Sequence, residues 1–195
     1  MSRSETRALL LRTGADIIAT QGYNNTGINA VLCAAGVPKG SFYYYFDSKD
    51  AFGLAVIDAV AEAHAAALDR VLGDSATTPL QRLRQYLEDG ADEVEDHDYC
   101  RGCLMGNLGQ ELAAQQPAFR ERLERAFASW SERLARCLDE AIAGGEIDPE
   151  DDARELAEFL LIGWEGAILR AKIARSREPL DAFIRLFMTR VLGAR

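Results

Sequence analysis

Lys39, Gly40, Ser41, Tyr43, Tyr44, Tyr45 and Lys49 crowd one short stretch with groups suited to contacting a nucleic acid. Lys39 can donate to a guanine edge or a phosphate, and Ser41 can donate or accept at a base edge. Gly40 lets a backbone come close to a thymine methyl. The tyrosine hydroxyls and the Lys49 ammonium suit phosphate oxygens, which position a protein on a duplex without reading its sequence. Pro38 is placed to open a helix ending at Tyr45, with Val37, Phe42 and Phe46 as its inward anchors. A helix that enters a major groove needs a supporting helix before it. Thr26 is expected to cap that supporting helix, with free N–H groups beside it facing a phosphate. Ile28, Val31 and Leu32 then pack inward and Asn29 faces the duplex. The competing reading is an ordinary helical hairpin in which Tyr43 and Tyr45 are half-buried packing residues.

A second cluster runs from His97 to Leu112. Gly102, Gly106 and Gly109 each weaken a helix by ~1 kcal/mol relative to alanine. Such a helix is easily displaced, unless the glycines serve close packing. Cys100 and Cys103 form a Cys-x-x-Cys, preceded by His97. Zinc needs a fourth ligand, and Cys33, Cys137 and His64 are remote in sequence, so no metal is expected. A thiol oxidoreductase built on this pair lacks a βαβ setting, and with no cofactor loop or nucleophile–base set the chain is not expected to be an enzyme or to carry a cofactor. A sensing thiol beside the Arg101 charge fits better, against the plain reading of two small apolar fillers. Candidate effector contacts are Tyr86, Cys103, Asn107, Trp130, Trp164, Glu165 and Arg170, with Gln110 and Glu111 as further polar groups; Arg170 would matter most for a carboxylate.

These residues need a scaffold, and the pattern is all-α. Alanine and leucine dominate, alternating β patterns are absent, and the five prolines each precede an amphipathic run. Helices are expected over about 4–21, 27–35, 38–45, 48–72, 79–97, 103–113, 117–143, 149–174 and 179–192. Thr78 and Asp148, each before a proline, are expected to cap the fifth and eighth. The division falls into residues 1–47, a helix-turn-helix domain, and 48–195, a helical effector-binding and dimerisation domain. In the eighth helix Leu156, Leu160, Trp164, Ala167, Ile168 and Ala171 line one side, and Phe159, Ile162, Gly163, Gly166 and Ile173 another. A helix apolar on two sides is buried on two sides. Phe159, Gly163 and Gly166, with Phe183 and Phe187 of the ninth, are therefore candidates for a two-fold dimer interface, unless both sides serve one core.

Net charge is −9, but residues 1–50 hold five basic groups against four acidic, and the remainder 17 against 27. An acidic body leaves one pole able to meet DNA. No apolar run is expected to span a membrane, and the start lacks the apolar stretch of a signal peptide, so a cytoplasmic protein is expected.

The Thr26-to-Phe52 segment resembles the DNA-binding domain of TetR/AcrR-family transcriptional regulators. It shares the Gly22-Tyr23 end of the first helix and the Tyr43-x-Tyr45-Phe46-x-x-Lys49 close. Tyr44 stands where histidine is commoner, and Pro38 where a polar residue is, which alters the bases that could be read. The resemblance implies a homodimeric, all-α repressor on a palindromic double-stranded operator, released by a small effector. Arg101–Glu111, Gly163–Lys172 and Pro179-Leu-x-x-Phe183 are similar to a subgroup that responds to electrophiles and acrylate-type compounds. The cysteine matching Cys103, and not Cys100, recurs there. A thiol-based redox regulator without a reversible ligand is the alternative.

Overall fold

The structure, a computed structural model, describes residues 2–193. Nine α-helices and no strand are found among the described residues: α1 Arg3–Gln21, α2 Ile28–Ala34, α3 Phe42–Tyr45, α4 Lys49–Leu72, α5 Pro79–Asp96, α6 Leu104–Leu112, α7 Pro117–Ala143, α8 Ala153–Ala174 and α9 Glu178–Leu186. A tight 3-10 turn, Lys39–Ser41, leads into α3, and a wider π turn, Phe187–Val191, prolongs α9.

The ends of the helices follow from local chemistry. Ser2 caps α1 and Thr78 caps α5, each through a reciprocal bond pattern with the residue three places on, Glu5 and Gln81. The Ser48 hydroxyl accepts from the Ala51 N–H at the start of α4. Two expected caps are corrected. Asp148 does not start α8; its carboxylate accepts from the Glu150 N–H within a turn, and Asp152 caps the helix by accepting from Arg154 and Glu155. Thr26 does not cap α2, which begins after Gly27 without a side-chain cap. Its hydroxyl donates backwards to the Gly22 carbonyl at 2.6 Å, and the residue is buried.

The backbone forms two compact units. One takes the residues up to Ala63 together with Cys103–Ala126; the other takes His64–Gly102 together with Phe127 onward. The first unit thus extends past residue 47 and includes α6, which the sequence boundary assigned elsewhere. The reason is specific. Both oxygens of Glu111 on α6 accept backbone N–H groups from the α1–α2 turn, Tyr23 at 2.8 Å and Asn24 at 2.7 Å. The Tyr23 ring also packs against Phe119, centroids 5.2 Å apart. Beneath the short α3, Phe42, Phe46 and Phe52 form a closed aromatic triangle with centroids 4.9 to 5.7 Å apart. That packing gives a four-residue helix a fixed orientation.

In the second unit Leu83, Leu87 and Ala91 of α5, Leu134 and Leu138 of α7, Leu160 and Ala171 of α8, and Leu180 of α9 are fully buried. Arg177, at the head of α9, joins the α5 carboxylates Glu88, Asp92 and Glu95 and also Asp181. Gly163 is there for contact within the chain, since a Cβ on it would come within 2.3 Å of the Phe183 ring.

One helix departs from the expectation about membranes. By length and composition alone α4 is long and apolar enough to cross one, with a mean hydropathy of 1.5. Alanines carry that value, so no strictly bulky apolar run announces it. Its Phe52, Val56, Ile57 and Leu68 are buried within the protein, although only 28% of its apolar window is.

Candidate functional site

The Lys39–Tyr45 surface is the candidate nucleic-acid interface. Pro38 is extended, and the chain turns through the 3-10 segment before α3, so the reader starts later than a helix opening at Pro38. Val31, Leu32, Phe42 and Phe46 are buried beneath it and Val37 nearly so, as the pattern required. Above them Lys39 and Gly40 are exposed and Ser41 is half-buried. A Cβ on Gly40 would meet nothing in the chain, so packing does not ask for glycine there. Tyr43 and Tyr44 stand 70% and 60% exposed, whereas Tyr45 is half-buried against the edge of Tyr44. Tyr43 is therefore not a packing residue. Asn29 is exposed on α2.

Two of the expected DNA contacts are otherwise engaged. The Thr26 side chain is buried and bonded to Gly22. The Lys49 ammonium lies 4.6 Å from the Tyr23 ring centroid and donates to the Asn24 carbonyl at 3.3 Å, which leaves two of its three N–H groups for other partners. Sequence reasoning missed two arginines. Arg3 places its guanidinium 4.4 Å over the Tyr44 ring and donates to the Tyr44 carbonyl, and Arg7 lies over Phe46. Their spacing by four on α1 was the available signal, since it sets both on one face.

Cys103 sits at the other end of α6 from Glu111. It is the N-cap of α6, and its Sγ accepts weakly from the Gly106 N–H at 3.5 Å. A Cβ on Gly109 would touch nothing, so that glycine is not explained by close packing. Cys100 is exposed and lies outside any helix. The cysteines of the described residues form no disulfide. Cys137 is buried, and burial pushes its thiol up to about 11, so it is inert near neutrality. His97 spends Nδ1 on the Glu93 carbonyl at the end of α5. No group of metal-ligating side chains is found among the described residues.

Of the expected effector contacts, Tyr86 and Trp130 come together in the second unit around His64, which the sequence gave no reason to include. His64 packs at a tilt against Trp130, centroids 4.3 Å apart and ring planes 51° from parallel, and bonds to the Tyr86 hydroxyl at 3.3 Å. Trp164 is buried and packs on Phe183. Glu165 is half-buried and Arg170 is exposed on the same helix. Cys103 and Asn107 belong to the first unit.

Burial lowers His64 from 6.5 to about 4. In the window between those values the unfolded chain binds a proton that the folded protein refuses, so stability falls as pH drops from 6.5 towards 4. The loss is about 3 kcal/mol at the lower end. Urea unfolding at pH 7.5 and pH 5 should show about 2 kcal/mol of this loss, and His64→Phe should remove most of the difference. Equal acid sensitivity in both proteins would contradict the buried, neutral imidazole.

On α8 the second apolar side remains uncovered: Phe159, Ile162, Leu169 and Ile173 are 41 to 64% exposed, as is Leu186 of α9 at 50%. Two expected interface residues are already engaged within the chain. Phe187 is 1% exposed, beneath Phe159 and Phe183, and Gly163 is taken up by Phe183 of its own chain. The sequence stripes of α8 and α9 did not separate these because α9 also uses its aromatic side to cover α8.

Residues 10–56 match the family described as bacterial regulatory proteins, tetR family, and residues 79–187 match the tetracyclin repressor-like C-terminal domain. The chain is 43% identical over 178 residues to the transcriptional regulator AcuR of Cereibacter sphaeroides, covering 91% of this chain and 81% of the relative. It is 36% identical to the HTH-type transcriptional repressor DhaR of a Mycobacterium species, covering 94% and 91%. The crystal structure of reduced Escherichia coli NemR superposes with a TM-score of 0.87 at 29% identity, covering 94% and 95%. These relatives are named as regulators of transcription rather than enzymes. The chain belongs to the TetR family of bacterial regulatory proteins.

Proposed function

We propose that this protein is a cytoplasmic, ligand-responsive repressor that binds a palindromic operator as a homodimer and leaves it when a small effector is sensed near Cys103. The observation that carries the reading is the exposed Lys39–Tyr44 surface held over the Phe42–Phe46–Phe52 triangle. Lys39 and Ser41 read base edges; Tyr43, Tyr44, Tyr45 and the remaining donors of Lys49 hold phosphates, with Arg3 steadying Tyr44. Asn29 and Gly40 complete the surface. The uncovered α8 side supports self-association. Phe159, Ile162, Gly166, Leu169 and Ile173 alternate by three and four, the spacing of a helix-pair seam, and a Cβ on Gly166 would meet nothing within its own chain.

Release follows from the two ends of α6. Cys103 caps the start of the helix, and Glu111 near its end grips the turn that leads into α2. Conjugate addition to an acrylate-type or enal electrophile joins Sγ to the β-carbon, while the thiol proton ends on the α-carbon and nothing departs. The adduct takes Sγ off the Gly106 N–H, and a glycine-weakened α6 transmits the shift to Glu111. A coupling of ~1–3 kcal/mol changes operator affinity about 5- to 150-fold.

Fluorescence anisotropy on DNA from upstream of its own gene tests this. Acrylate and crotonaldehyde should release the wild-type protein, and Cys103→Ser should blunt the response to crotonaldehyde at least tenfold. A Cys103→Ser protein that responds like wild type would remove the thiol from the account.

A further inference from the structure

Trp130 on α7 is only 4% exposed, and its indole Nε1–H has no hydrogen-bond partner within the protein. A buried donor without an acceptor is costly, and an indole nitrogen can donate but never accept. The rings around it are His64 of α4, tilted at 4.3 Å, and Phe127, edge-on at 5.3 Å. Nε2 of His64 is engaged with the Tyr86 hydroxyl of α5. Three helices therefore bring a single unmet donor into an aromatic surround, with His64, Tyr86 and Trp130 all in one compact unit. An ammonium or guanidinium ligand has no lone pair to offer it. A flat group that ends in an oxygen does.

Building on the reading of this protein as effector-controlled, we propose that Trp130, His64 and Tyr86 form a recognition subsite for the sp² oxygen of a small molecule, a carbonyl or a carboxylate, with the Trp130 Nε1–H as the donor that receives it. The aromatic faces select a planar body. The one donor fixes which end of that body points at α7. The oxygen completes a bond that the folded chain leaves unmade, so binding satisfies the buried donor and gains apolar contact together.

The test uses the full-length protein with ¹⁵N-labelled tryptophan, whose two indole resonances are assigned with Trp164→Phe. The probes are propionamide and propionate, which carry the oxygen but cannot alkylate a thiol. The Trp130 indole resonance should move downfield and saturate with one of them or with both; the responding probe identifies a neutral carbonyl or a carboxylate as the preferred source. Trp130→Phe keeps a ring and removes the donor, and should bind the active probe about tenfold more weakly by calorimetry. An indole resonance unmoved by either probe overturns the subsite. So does undiminished probe affinity in Trp130→Phe. Operator anisotropy in parallel samples is a separate readout: DNA that no small molecule releases would contradict effector control itself.

Discussion

Alanine at both Lys39 and Tyr44 should reduce operator affinity to the level of random DNA. Each contact of this kind contributes about 1–3 kcal/mol. A dimer carries two copies of each, and the combined loss amounts to at least a hundredfold. Both residues are exposed and lie above the aromatic triangle rather than in it, so thermal stability should move little. Anisotropy against the operator and against a scrambled duplex separates the effects. Specific affinity should vanish while weak, salt-sensitive binding persists. An unchanged operator affinity would remove the recognition assignment.

Glutamate at Ile162 should split the dimer. Ile162 is 63% exposed in the single chain and sits midway along the uncovered α8 side. A two-fold seam would bury both copies of the new carboxylate, unpaired and near each other, at about 3–5 kcal/mol each. Sedimentation at micromolar concentration should then report a monomer, with operator affinity falling with it. Because the site is exposed in the chain itself, the monomer should still fold. A stable Ile162→Glu dimer would place the interface elsewhere.

Most of the fold could be read from punctuation. Gly22 ends α1, Thr78 with Pro79 starts α5, and the expected helices match the observed ones within a few residues. Where the reading failed, two residues competed for one job. Asp148 and Asp152 are both acidic caps in waiting, and only the packing of α8 decides for the second. Thr26 had a hydroxyl suited to an N-cap, but the Gly22 carbonyl four residues back was closer. The reading surface was legible because Phe42 and Phe46 are unmistakable anchors, which forces the residues between them outward. The compact units divide differently from the boundary at residue 47 because the tie that brings α6 into the first, Glu111 to the Tyr23 and Asn24 amides, joins side chain to backbone across 88 and 87 positions. No periodicity records such a bond. His64 was equally silent: on an alanine-rich helix nothing distinguishes a buried, neutral imidazole packed against an indole from a solvated one.

The account depends on two copies of the Lys39–Tyr45 surface acting on one duplex. Hydroxyl-radical footprinting of the protein's own upstream region, at a stoichiometry fixed by sedimentation, addresses that most directly. Two protected patches related by a palindrome, with centres about 34–36 Å apart or somewhat more and two protomers per site, are the expected result. A single protected patch bound by one protomer, or protection no stronger than on random DNA, would contradict it.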